Sequence, residues 1–344
     1  MSDPARWCGF HLHYHGDLDL LVSRLVHPLV SALAEAPGFH GFFFVRYALG
    51  GPHVRLRLCL TDDAREAARP QIEARAAAFF AEHPAAQPLS AEEVRRADAV
   101  ILANDPHERD TGFVPSPSVH ERPFEPELTR YGGEARMPAS LAAFGLSSAR
   151  ALRFLGEHME ATRARRLPLS LRLIVAEAVG LATSAEDLLA LLAARLGGRD
   201  GASQALVARA DRAFAEQRET LCRLVRSALG SALEARPAAS LALAPLDPAA
   251  AGSALTAAVA DAPAGVRRQI AESHLHMSAN RLGVSNAEEV YLGRIAWSAA
   301  SALLGQDPAL AAQLASEPAG ADGASAERAL REAALHAARA LGQP

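Results

Sequence analysis

Alternation is the first regularity in the chain. Over residues 7–15, WCGFHLHYH, three histidines at 11, 13 and 15 alternate with Leu12 and Tyr14, a period of two that predicts a strand. After Gly16 the period lengthens: DLDLLVSRLVHPLVSALAEA carries apolar residues at helical spacing, with Asp17 or Asp19 near its start. GFFFVRYALGGPHVRLRLCL then returns to alternation on both sides of the turn LGGP and reads as two paired strands. A second helix is predicted over about 63–82, so the opening order is β-α-β-β-α, a sheet with helices on one face.

The pattern changes at residue 103. Residues 103–138 are dense in Pro, Gly and charge and read as a long irregular segment, the type of connection that often binds ligands. Beyond it the chain is rich in Ala, Leu and Arg, with helical periodicity near 147–166, 168–196, 203–235, 263–282, 286–304 and 325–341. Breaks fall at 196–203, in the Ala/Pro-rich 236–252, and at 317–325, which reads as a mobile link. Strands first and helices afterwards predict an α+β fold. We expect one domain over 1–344, sheet-rich to about 138 and helical from about 139.

The strand periods sort the chemistry. In HVRLRL, His53, Arg55 and Arg57 share one face and Val54, Leu56 and Leu58 the other. Arg46 of VRY is expected to join them from the neighbouring strand. Converging guanidiniums bind carboxylates or stabilise oxyanions and enolates; the plain alternative is a half-exposed strand with a solvated charged face. His11 and His15 would lie about 13 Å apart along a strand, whereas zinc holds each nitrogen at about 2.1 Å. All three cannot share one ion, so no metal is expected. A second constellation, SHLHMSANRLGVSNAEEVYL at 273–292, carries His274, His276, Asn280, Arg281, Ser285 and Tyr291. Its SNAE fits a capping box, which would make Ser285 an N-cap, and Tyr291 has the plain alternative of a core tyrosine. A third, FEPELTRYGGEARM, sets Arg130 and Tyr131 before a Gly-Gly pair.

Composition narrows what these groups do. The chain has 344 residues, is 50% hydrophobic and has formal net charge −4. It can bury a sizeable core, and the absence of a basic tract argues against nucleic acid. It shows neither a signal-like start nor an apolar run of about 20 residues, so a cytoplasmic protein without a membrane partner is expected. Three widely spaced cysteines offer neither a disulfide framework nor a CxxC pair. All basic residues are arginine, which excludes Schiff-base lysines and a P-loop lysine. Arginine stays charged, so proton transfer falls to His, Tyr, Cys or carboxylates. No GxGxxG or P-loop spacing is present, and no cofactor is expected.

The ordered set RYALGGPHVRLRL, FEPELTRYGG and HMSANRLG resembles the elimination domain of class I lanthipeptide dehydratases and its free-standing relatives in thiopeptide biosynthesis, over residues 7 to about 304. HLHYHGDLD and SNAEEVY make it most similar to the pyridine synthases of that group. The resemblance implies that two dehydroalanines of a modified precursor peptide, leader plus core, are joined in a formal [4+2] aza-cycloaddition, after which water and the leader are lost. Tyr291 and Ser285 would hydrogen-bond the reacting amide, with His276 or His13 as proton carrier. Arg46, His53, Arg55, Arg57, Arg281 and Arg130 would bind substrate. Arg55, Arg57 and His276 also resemble the set that eliminates glutamate from glutamylated Ser or Thr, which keeps that reaction as the alternative. A free-standing enzyme of either kind, without a preceding glutamylation domain, is therefore expected. A non-catalytic subunit that presents the precursor to other biosynthetic enzymes is the third reading.

Overall fold

The computed structural model describes residues 6–104, 112–194, 196, 201–237, 240–315 and 322–342. They form two compact units. The first takes the described residues of Met1–Glu125, Ser148–Met159 and Ala338–Pro344, the second those of Pro126–Ser147 and Glu160–Ala337.

In the first unit, strand β1 (Arg6–His13) leads through α1 (Leu18–Leu21) and a π-helical turn (Val22–Val26) into α2 (His27–Ala34). Strands β2 (Phe39–Tyr47) and β3 (His53–Leu60) follow, then α3 (Asp62–Glu82), α4 (Ala91–Asn104) and β4 (Ser118–Pro123). The sheet order is β2-β3-β1-β4, antiparallel throughout. Phe10, Leu12, Phe42, Phe44, Leu56 and Leu58 are at most 1% exposed. They line the face on which α2 and α3 pack, each burial contributing about 1.5–3 kcal/mol. The outer backbone of edge strand β2 is met by Ser148, whose Oγ accepts from Phe44 N at 3.1 Å. Buried Asp98 on α4 accepts from Gly50 N through both oxygens at 3.1 Å and anchors the β2–β3 turn.

Helix α5 (Met137–His158) gives its first half to the second unit and its remainder to the first. Then come α6 (Arg163–Leu181), α7 (Ala185–Ala193), α8 (Gly201–Ala235), α9 (Ser240–Leu243), α10 (Pro248–Ala258), α11 (Ala264–Arg281), α12 (Asn286–Gln306), α13 (Pro308–Ala315) and α14 (Gly323–Ala340). Helix α12 packs along α8 and α10 against α6. The α6–α10 approach is backbone to backbone: a Cβ on Gly180 would stand 2.2 Å from Ala249 O, and one on Gly252 3.0 Å from Glu177 O. No described helix is long and apolar enough to cross a membrane.

The α+β order and the β-α-β-β-α opening are as the periodicity predicts. The segment 103–138 is less irregular than expected, because β4 lies in it and pairs with β1. Helix α10 begins inside the Ala/Pro-rich stretch read as a break, taking its last residues from Pro248 onward, and it is buried along most of its length, so it shows no polar face to mark it. Helix α5 begins ten residues before the expected start at 147. The expected helix over 168–196 is interrupted after Leu181, where Ser184 caps a new helix by accepting from Asp187 N at 3.0 Å. Most of the 317–325 link lies outside the described residues.

Overpacking at the α6–α10 crossing gives a stability test. Gly180→Ala forces those backbones apart and is expected to cost about 2 kcal/mol, read as a lower urea midpoint. An unchanged midpoint would mean that the crossing is loosely packed.

Candidate active site

One face of the sheet faces the helices; the other carries the chemistry. Register places His11 opposite Arg55 and His120, His13 opposite His53, Gly9 opposite Arg57, and Tyr47 opposite His53. All these residues therefore share a face, and no acidic residue occupies a strand position on it. His13 and His53 stack with centroids 4.2 Å apart, His11 lies 5.2 Å from His53, and His120 meets His13 edge-on at 5.7 Å. Arg55 lies over the Tyr47 ring, 3.2 Å from its centroid, and its Nε donates to His53 Nε2 at 3.2 Å. His53 Nδ1 donates in turn to Gly51 O at 2.8 Å, which assigns its tautomer.

Arg57 completes this face. It is 9% exposed, and its Nη1 has no hydrogen-bond partner among the described residues. Its guanidinium lies over Gly9, where a Cβ would come within 1.6 Å of Nη1. Glycine at position 9 is what makes room for a buried cation. Beside it Trp7, Phe43 and Phe124 form an aromatic cluster with centroids 5.2–5.9 Å apart.

Burial and the neighbouring charges keep His11, His13 and His53 neutral. Burial, with the Arg57 and Arg55 charges adding to it, pulls His11 down to about 2. Burial and the neighbouring His53 hold His13 at about 3. Burial takes His53 to about 4, partly opposed by its bond to Gly51. Burial lowers Arg57 to about 10, so it remains charged at neutral pH. His11 Nε2 and His13 Nδ1 are buried without hydrogen-bond partners among the described residues. Neutral bases beside fixed cations can accept a proton while the cations stabilise the anion left behind.

The same cluster bears on metal binding. One nitrogen each from His11, His13 and His53 lies within 4.8 Å of the others, because His53 crosses over to join two histidines of β1. Both nitrogens of His53 are already engaged, by Gly51 O and by Arg55, so a cation would have to displace one of these partners and sit beside Arg55 and Arg57. The array is better matched to an anion or a polarised amide than to a resident metal.

Arg46 does not join these guanidiniums. It pairs with Val54 in the register and so stands on the helix-covered face, where its Nη1 meets Asp19 Oδ1 at 2.6 Å. His15 lies beyond the strand, with Nδ1 accepting from Leu89 N at 3.2 Å. Arg130 pairs at the surface with Glu127 at 2.9 Å, an interaction local to one turn.

In the second unit the conspicuous feature is the α11–α12 turn. Gly283 takes φ +76°, and Ser285 caps α12 with a complete capping box to Glu288. Arg163 clamps the turn: its Nε bonds Glu288 Oε1 at 2.8 Å, and its Nη2 bonds Glu288 Oε2 and, at 2.6 Å, Gly283 O. Burial opposes ionisation of Glu288, but the Arg163 and Ser285 bonds hold it at about 2. Ser285 is exposed and its hydroxyl donates to Glu288 at 2.8 Å, so the N-cap role is realised. Tyr291 is half-buried with Arg209 5.5 Å from its ring centre. The six-residue spacing sets Tyr291 about 9 Å along the helix from Ser285. His276 meets Glu289 at 2.7 Å. Arg281 is 0% exposed, its guanidinium 4.9 Å from the Phe144 ring on which His274 stacks.

Tyr47, His120 and Glu289 are not among the candidates that the sequence pattern marks. Tyr47 and His120 share the two-residue period of the strands, and Glu289 follows the capping-box glutamate.

The family described as Lantibiotic biosynthesis dehydratase C-term matches residues 7–300. This chain belongs to that family. A search of curated proteins finds no match. Among solved structures, one described as "Pyridine synthase, TbtD, from thiomuracin biosynthesis" is 20% identical, covers 88% of this chain and 100% of its own, and has a TM-score of 0.66. The tRNA-dependent lantibiotic dehydratase MibB from Microbispora sp. 107891 is 19% identical over 89% of this chain, with a TM-score of 0.58. This dehydratase C-terminal family member spans 29% of the MibB chain. TsrL is 16% identical, covers 92% of this chain and 100% of its own, and has a TM-score of 0.52. At these identities the likeness establishes the fold.

The neutral histidines give a pH test. Each has a folded-state pKa below the unfolded value near 6.5, so the unfolded chain binds more protons as pH falls. Their contribution is complete above pH 6.5 and is lost from there toward about 4 and below. Each adds at most about 1.4 kcal/mol per pH unit to that slope. Urea midpoints from pH 7 to 5 are expected to fall, and to fall less steeply in His13→Gln. An unchanged slope in that variant would show that His13 is protonated in the folded state.

Proposed function

We propose that this protein is a pyridine synthase acting on a precursor peptide that carries two dehydroalanines. What supports the reading best is the neutral imidazole and guanidinium face of the sheet, in a fold that covers the whole of the thiomuracin pyridine synthase chain. The amide beside one dehydroalanine is converted to its iminol, a 2-azadiene, which adds to the second dehydroalanine. Loss of water and of the leader as a carboxamide then aromatises the ring. Forming the iminol requires a proton acceptor at nitrogen and a donor at oxygen. His13, neutral and with Nδ1 unpartnered, is the acceptor assigned on the sheet. Arg55 and Arg57 stabilise negative charge that develops on oxygen. Tyr291 and His276 belong to the second unit, where Tyr291 is the candidate hydrogen-bond donor to the peptide and His276 the candidate carrier of the later protons. Ser285 enters this set with its hydroxyl committed to the cap, so Tyr291 carries more of the assignment. Ordering one long peptide offsets the entropy of closing a large ring.

Glutamate elimination is the second reading, and Arg57 is the observation that favours it. A buried guanidinium with an unpaired N–H is suited to a carboxylate. In that case Arg57 holds the glutamyl carboxylate while a neutral histidine removes the Cα proton of the esterified Ser or Thr, the Cα–Cβ double bond forms, and the Cβ–O bond breaks to release glutamate.

Mass spectrometry separates the readings. A precursor with leader, azoles and two dehydroalanines is expected to yield a macrocycle smaller by the leader carboxamide and water. Tyr291→Phe should slow this about a hundredfold with its melting temperature unchanged. Free glutamate from a glutamylated precursor, lost in Arg57→Gln, would replace the first reading by the second. A bound precursor of unchanged mass in both assays would leave a presenting subunit.

A further inference from the structure

Two adjacent glutamates begin α12, and they do different work. Glu288 closes the capping box and takes the Arg163 clamp. Glu289, about 100° further round the helix, turns its carboxylate under α11, where Oε2 lies 2.7 Å from His276 Nδ1. Its side chain is 9% exposed, and the imidazole is 22% exposed. We infer that Glu289 is the positioning residue of His276: its carboxylate holds the imidazole as the Nδ1–H tautomer and leaves Nε2 as the atom that takes and returns protons.

The tautomer follows from the partner. A carboxylate only accepts, so the nitrogen facing it carries hydrogen, and in a neutral imidazole the other nitrogen then holds the lone pair. The geometry is fixed from both sides. Arg163 ties Glu288 to the Gly283 carbonyl, and the cap sets the first turn of α12, so Glu289 has little freedom to leave. A carboxylate in the first turns of a helix is also favoured by the helix dipole. When His276 Nε2 takes a proton the ring becomes a cation, and the buried carboxylate at Nδ1 stabilises that cation. A carboxylate behind a histidine base orients it and supports its charge without itself accepting the proton. A staple between two helices would need an ion pair but would not require one nitrogen to be kept free.

This inference rests on the proton-carrier role of His276 in the proposed function, and two readouts keep the failures apart. The first is independent of turnover: nitrogen-15 NMR of the histidine side chains, with His276 assigned by its loss in His276→Gln. The wild-type protein is expected to show a protonated Nδ1 and an unprotonated Nε2. Glu289→Leu, which removes the acceptor, should show the opposite tautomer or a mixture. A wild-type ring protonated at Nε2 alone overturns the inference whether or not the precursor reacts. The second is kinetic. Glu289→Gln keeps an oxygen to accept from Nδ1–H but loses the charge, and is expected to lower kcat about tenfold or more with KM and melting temperature unchanged. Glu289→Asp should recover part of that loss. In the His276→Gln background Glu289→Gln should cost nothing further. Full activity of Glu289→Gln, or equal losses in both backgrounds, assigns Glu289 to helix packing and overturns the inference. A wild-type protein inert toward the precursor overturns the pyridine synthase reading and leaves the tautomer result to decide on Glu289.

Discussion

A strand repeats every two residues, and the sheet of the first unit follows from that constraint. Once Phe10, Leu12, Leu56 and Leu58 are committed beneath α2 and α3, the residues between them must stand on the opposite face. His11, His13, His53, Arg55 and Arg57 are the residues between them. A slip of one residue in the β1–β3 register would drive imidazoles and guanidiniums into the core and expose phenylalanine. The apolar face thus stabilises the fold and, through the register, fixes the chemistry on the other side.

That face is costly in isolation. It joins the guanidiniums of Arg55, Arg57 and Arg122 to four imidazoles without a carboxylate at any strand position, and several of its nitrogens lack hydrogen-bond partners among the described residues. Nothing in folding calls for such a set, since a buried polar group without a partner destabilises the chain. Conflicts between local chemistry and stability concentrate at working sites. The devices around the face agree with that interpretation: Gly9 leaves space for Arg57, Tyr47 supports Arg55, and Asp98 secures the turn from which His53 departs.

Much of this was legible in the sequence because strand and helix periods are local. Alternation identified β1, β2 and β3 and the shared face of His53, Arg55 and Arg57. The same rule, carried across the hairpin, separates Arg46 from that set: Tyr47 opposite His53 pairs Arg46 with Val54. The partner of Arg46 is Asp19, from a helix whose docking no local pattern gives. The meeting of His13 with His53 required a register between strands forty residues apart. Strand β4 is short, polar and ends in proline, and α10 has no polar face, so neither carried a periodic signal. Glu289 was hidden by its neighbour, since one glutamate suffices to explain a capping box.

The α11–α12 turn shows how one short motif divides its labour. Ser285, Glu288 and Arg163 satisfy one another, and Arg163 also satisfies the Gly283 carbonyl. Their hydrogen-bonding capacity is largely spent on holding the turn. This weighs against Ser285 as a donor to substrate, because using its hydroxyl would release the cap, worth about 1 kcal/mol. Spending it there has a benefit one residue later: a helix whose first turn is fixed delivers the next carboxylate to a defined place. His276 faces that carboxylate at 2.7 Å and remains partly exposed, which is the combination a proton carrier needs: one nitrogen held and the other available.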